Sequence, residues 1–143
     1  MSLTPAAPDA KSAQPFIKRD AAGRPFIEAH RCRSCGAAMV ETLLACPACA
    51  ARDSFDAFEA SGEGVLHAFS IVRRSFPGVA TPFISVVVDL SDGVTLKGDL
   101  IDVEPTPEAI RPGMPVRLVF GDALGRTDKD GASYLAFFFQ PAA

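Results

Sequence analysis

Two C-x-x-C pairs between residues 32 and 49, then five short runs of alternating apolar residues, with room for one helical turn between the third and fourth, predict a mainly β protein. The expected architecture is a rubredoxin-like zinc ribbon followed by a five-stranded OB-fold barrel. The expected division is 1–24 as a partly disordered tail and lead-in, 25–60 as the ribbon, and 61–143 as the barrel. A chain of 143 residues, 48% hydrophobic, has the composition of one ordinary domain or two small ones rather than of a disordered segment.

The first residues, Met1 to Gln14, are rich in Ala, Pro, Ser and charge and show no periodicity, which reads as a disordered or loosely docked tail. Phe16-Ile17 and Phe26-Ile27 flank a polar, glycine-bearing stretch, the pattern of a turn feeding a strand. That strand, Pro25 to Arg31, runs into Cys32-Arg33-Ser34-Cys35-Gly36, and the second pair follows as Cys46-Pro47-Ala48-Cys49. Each short knuckle aims two sulfurs at one point while its backbone amides donate to them, so Cys32, Cys35, Cys46 and Cys49 suit one tetrahedral Zn²⁺. Gly36 supports this reading, because a glycine directly after the second cysteine can leave the knuckle in a left-handed conformation. Pro47 stiffens the matching position in the second knuckle. The stretch from Gly36 to Ala45 is long enough for a short hairpin that brings the knuckles together.

Other uses of four cysteines fit less well. Two disulfides need an oxidising compartment, and the first residues have neither a basic n-region nor an apolar h-region, so the cytoplasm is the expected location. A thioredoxin-type redox pair needs its C-x-x-C between a strand and a helix, with no second pair so near. Iron takes the same four ligands as zinc, and spacing does not separate the two. Phe55 to Glu59 follows the second knuckle, with Phe55 and Phe58 placed to cover the metal. A unit of this size buries too little apolar surface to fold alone, so the metal is expected to supply much of its stability.

Ser61-Gly62-Glu63-Gly64 marks a break, after which the pattern has period two. Val65 to Val72 is the first run. Ile84, Val86, Val88 and Leu90 form one apolar face, Ser91-Asp92-Gly93 is a hairpin turn, and Val94, Leu96, Gly98 and Leu100 continue on the partner strand. Glu104 to Pro112 holds three prolines and at most one helical turn, around Glu108 to Ile110. Val116 to Phe120 is the fourth run, Gly121 to Ser133 reads as a polar loop, and Tyr134 to Phe139 closes the chain, apolar on both faces. A strand apolar on both faces needs cover from the ribbon or from another chain.

The net charge of −3 has the wrong sign for a protein that works on nucleic-acid backbone, and no apolar run is long enough for a membrane-spanning helix. Eleven Phe, one Tyr and no Trp belong in a core or dry interface. No nucleophile, base and orienter come together in the sequence, and four thiolates leave a metal no open position. His30 and His67 read as strand residues. Asp89, Asp92, Asp99 and Asp102 read as hairpin and turn carboxylates. Arg73, Arg74 and Lys97 are candidate contacts for an anionic ligand or an acidic partner surface, and Phe76, beside the two arginines in the loop 73–82, is a candidate partner anchor.

The succession His30-Arg31-Cys32-Arg33-Ser34-Cys35-Gly36, Cys46-Pro47-Ala48-Cys49, Ser61-Gly62-Glu63-Gly64-Val65-Leu66, Asp92-Gly93-Val94-Thr95-Leu96-Lys97-Gly98 and Arg111-Pro112-Gly113-Met114-Pro115-Val116 resembles the zinc-ribbon plus OB-fold family long catalogued as a domain of unknown function. Members accompany thiolases and other acyl-CoA enzymes. The resemblance covers about Phe26 to Phe139 and implies a non-catalytic accessory subunit of a thiolase-like, hydratase or aldolase enzyme, with acyl-CoA as a ligand it contacts. Family members usually begin with a helix, and Thr4 to Gln14 is a poor helix candidate. The alternatives are a single-stranded nucleic-acid-binding OB-fold, against which acidity and buried-type Phe count, and electron transfer by an iron-loaded ribbon.

Overall fold

Alternation and turn residues place nine strands, and no helix, among the described residues of the computed structural model, which are 3–41 and 43–142. None of these residues lies in a helix long and apolar enough to cross a membrane. The first four strands, β1 (Ile17–Arg19), β2 (Pro25–Cys32), β3 (Ala38–Met39) and β4 (Phe55–Glu59), form an antiparallel sheet around β2. The other five are β5 (Glu63–Val72), β6 (Phe83–Leu90), β7 (Thr95–Leu100), β8 (Pro115–Thr127) and β9 (Ser133–Pro141). They close in the order β5-β6-β7-β9-β8, the strand order of an OB-fold barrel.

The β6–β7 hairpin forms where its turn residues stand. Gly93 takes φ 93°, which a side chain rarely allows, and Leu90 N donates to Val94 O at 2.8 Å. The expected helical turn near Glu108 does not form. Pro105, Pro107 and Pro112 remove three amides there, and the stretch settles as turns, with Ala109 N on Thr106 O at 3.2 Å and Ile110 plugged into the core. The fourth barrel strand is longer than its apolar run, because β8 continues through Gly121 to Thr127. Gly121 is no break: a Cβ there would stand 2.5 Å from Leu3 Cδ1 and 2.7 Å from Thr4 O, so the glycine marks close passage of the lead-in.

That passage explains the last strand. Leu135, Phe137 and Phe139 face the main core, where Gly98 leaves space for both Phe rings. On the opposite face Ala136 and Phe138 pack with Ile101 and Ala123, and Leu3, Ala13, Val119 and Tyr134 close over them. The cover of that second face is therefore partly the chain's own lead-in. Backbone bonds hold it there: Leu135 N donates to Lys11 O at 2.7 Å, Ala13 N to Leu135 O at 2.8 Å and Asp122 N to Thr4 O at 2.7 Å. Met1 and Ser2, the start of the expected tail, lie outside the described residues.

Ribbon and barrel share one core. Ile27, Ala29, Val40 and Ala60 belong to the same buried cluster as Leu66, Leu90, Val94 and Phe139. Burial at about 25 cal/mol per Å² of apolar surface thus couples the two halves instead of stabilising each separately.

Candidate metal centre and partner surface

The two knuckles repeat one hydrogen-bond pattern. Gly36 N donates to Cys32 O at 2.8 Å and Ala50 N to Cys46 O at 2.8 Å, while Cys32 N donates to Ala37 O and Cys46 N to Ala51 O at 2.8 and 2.9 Å. Gly36 takes φ 81° and Ala50 φ 67°, so the residue that matches Gly36 in the second knuckle is Ala50 and not Pro47, which stands between the two cysteines. β3 folds back on His30 and Arg31 behind the first knuckle, and an Ala45–Arg52 bridge closes the second. Four sulfurs converge as a result. Cys32 Sγ is 3.7 Å from Cys49 Sγ, Cys35 Sγ is 3.6 Å from Cys46 Sγ, and all four lie within 4.8 Å of one another without a disulfide.

A tetrahedron with metal–sulfur bonds of about 2.3 Å has edges of about 3.8 Å, so the thiols already stand at the spacing of a closed four-ligand site and can hold a metal ion. Their acidities have the pattern of such a cluster. The Ser54 hydroxyl, 3.1 Å from Cys32 Sγ, and the amides of Cys35 and Ser34 pull the Cys32 thiol down to about 6. At Cys49 the Ala51 amide works downward, yet desolvation and the neighbouring thiols push it up to about 12. A bound cation would favour the deprotonated sulfur that crowding opposes at Cys49. Ser54, buried beside Cys32, carries no signal in the sequence beyond its place before β4.

The residues expected to cover the metal divide. Phe55 stands in register with Cys32, whereas Phe58 packs on the shared core and carries the Arg31 guanidinium 5.1 Å above its ring. His30 stays in β2, its Nε2 3.7 Å from Glu28 Oε1. His67 is the extra residue of a bulge in β5 and meets Asp89 at 2.8 Å on the exposed face. The four aspartates do not cluster: Asp89 also accepts from Thr95, Asp92 serves the hairpin turn and Ser61 N, Asp102 accepts from Gln140, and Asp99 lines a cleft.

That cleft, of about 490 Å³, brings Lys97 together with the loop 73–82 through Ser75, Gly78, Val79 and Ala80. Arg73 and Arg74 are exposed at the base of the loop, and Phe76 stands 82% exposed at its tip. Arg126 of β8 lines the cleft too, a cation that sequence reading passed over because β8 was expected to end earlier.

Comparison with known proteins places these features. Residues 58–121 match the family described as the C-terminal OB-fold domain of ChsH2. The chain is 25% identical over 114 residues to a DUF35 domain-containing scaffold protein of Methanothermobacter thermautotrophicus, covering 78% of this chain and 83% of that one. It is 27% identical over 126 residues to the benzoylsuccinyl-CoA thiolase subunit BbsA of Thauera aromatica, covering 87% and 83%. Among solved structures it resembles the Ltp2-ChsH2(DUF35) aldolase, with a TM-score of 0.64 and 25% identity over 82% of this chain and 86% of that one.

Proposed function

We propose that this chain, whose ribbon and barrel match DUF35-type proteins along most of their length, is a non-catalytic accessory subunit of an acyl-CoA enzyme of thiolase, hydratase or aldolase type. The observation that carries the reading is that a subunit of a thiolase aligns with it over 87% of this chain and 83% of its own length. The chemistry agrees with a supporting role. Four thiols that close on one another leave a metal no site for water or substrate, so the ion holds the fold. Zinc is the proposed ion, bound by Cys32, Cys35, Cys46 and Cys49; iron would use the same ligands and would colour the protein. Free thiols suit a reducing cytoplasm.

Arg73, Arg74, Phe76 and Lys97 are the proposed contacts with the enzyme or with its acyl-CoA. The nucleic-acid reading lacks its stacking platform, since Phe76 is the one exposed Phe among the described residues and the chain carries net charge −3. Purifying the tagged chain from its native host, with identification of what accompanies it, tests the proposal. An acyl-CoA enzyme in fixed ratio is the expected result. A chain that runs alone, or that turns over acyl-CoA by itself at about 1 s⁻¹ or faster, would overturn it.

A further inference from the structure

The barrel closes unevenly. β7 pairs with β6 along its whole length, but on its other side it meets β9 at Leu100–Phe139 alone. Among the described residues, the side of β7 from Thr95 to Asp99 that faces away from β6 is thus without a strand neighbour, and Lys97, Gly98 and Asp99 line the cleft there. The chain partly fills the same opening with its own backbone. Ser12 bridges Leu135 in parallel, and the next residues, Ala13 and Gln14, line the cleft. A gap already accepting one extended segment, beside a strand edge that lacks a neighbour, has the geometry of strand addition.

We propose that this edge of β7 receives an extended, acidic segment of the enzyme subunit, which pairs with the backbone of Lys97 to Asp99, sets its carboxylates on Lys97 and Arg126, and places an apolar side chain on Phe83, Val79 and Phe137. The proposal rests on the accessory-subunit reading and names the surface through which it acts. Charge selects the occupant. Two cations and one carboxylate line the cleft, and the exposed Arg73 and Arg74 begin the loop that supplies Ser75, Gly78, Val79 and Ala80 to it, in a chain whose net charge is negative. Burial pushes the Asp99 carboxyl up, while Arg126 and Lys97 pull it back down. A lysine on an open edge also deters unwanted pairing, and Lys97 alone would mean only that. Arg73 and Arg74 come from a loop, where no edge needs guarding, and Arg126 brings a second cation from β8 to the same cleft.

The test uses the complex purified from the native host. A photo-crosslinking benzoylphenylalanine replaces Val79 in one preparation and Leu44, on the ribbon, in another, and crosslinked peptides are sequenced. Crosslinks from position 79 should fall on an acidic, extended stretch of the enzyme that position 44 does not reach. The double variant Lys97→Glu/Arg126→Glu should bind the enzyme at least tenfold more weakly, and Lys97→Arg/Arg126→Lys within twofold of the parent. Crosslinks from position 79 that miss the enzyme, or charge reversal that leaves affinity within twofold, would overturn the docking proposal while the enzyme still co-purifies. An enzyme that does not co-purify at all would overturn both readings.

Discussion

Arg31 Nη2 donates to the backbone carbonyl of Asp92 at 2.7 Å, and Nη1 of the same guanidinium donates to Gly36 O at 2.8 Å, so one side chain ties the first knuckle to the β6–β7 turn. Phe58 supports its plane from below, and Asp92 in turn accepts from Ser61 N, where the chain passes from ribbon to barrel. Metal site and barrel are joined here by directed bonds as well as by a common core.

Replacing Arg31 should therefore do more than remove a charge. Arg31→Met keeps the apolar stem over Phe58 but strips two carbonyls of their donor, and should cost about 2 kcal/mol, within the range for charge-assisted bonds. Arg31→Lys cannot span both carbonyls and should recover less than half of that loss. Denaturant unfolding followed by a ribbon probe and a barrel probe checks it. Coincident transitions in the parent that separate in Arg31→Met are the expected outcome.

Ser54→Ala tests how the sulfurs are held. The hydroxyl beside Cys32 orients the sulfur and offsets its charge, and loss of such an outer partner weakens metal binding by about 10- to 100-fold. Competition against a chelator of known affinity measures it directly. Because ribbon and barrel share a core, removal of the metal should also lower the unfolding midpoint of the barrel, not of the ribbon alone.

Phe76→Ala separates partner binding from folding. A side chain 82% exposed contributes little to the free protein, so stability should stay within about 0.5 kcal/mol. Association with the enzyme should weaken by about 2 kcal/mol if Phe76 anchors it. Melting curves and affinity measured on one preparation give both numbers, and a stability loss with unchanged binding would overturn the anchor role of Phe76.

The cysteine site was legible because its signal is local: ligand type, knuckle spacing and Gly36 lie within a few residues, and the barrel strands announced themselves by alternation. What escaped notice is carried by backbone or by distance. Ala50 takes the same left-handed conformation as Gly36 with nothing in its side chain to say so. The lead-in docks through amides and carbonyls, which any sequence supplies, and its residues show no period because it joins no long strand. Asp99 and Arg126 line one cleft because closure of the barrel sets β7 and β8 around one opening. Gly121 carried a signal that was misread, since an interior strand glycine marks either an end or a close approach.

That glycine yields the most local prediction. In Gly121→Ala the new methyl meets Leu3 Cδ1, which can swing away, and Thr4 O, which is backbone and can yield only if the lead-in moves. The substitution should cost about 1–3 kcal/mol, the range for forcing a methyl into a filled space, and should weaken the Asp122 N to Thr4 O bond. Hydrogen exchange would then rise at Asp122, with the Leu135 amide, held by Lys11 O, following if the whole lead-in lifts. Gly62→Ala is the matched control, because nothing stands within 4 Å of a Cβ there, and it should leave stability unchanged or raise it by about 0.5 kcal/mol. Equal effects at the two positions would mean that the lead-in yields freely and that Phe138 is covered without it.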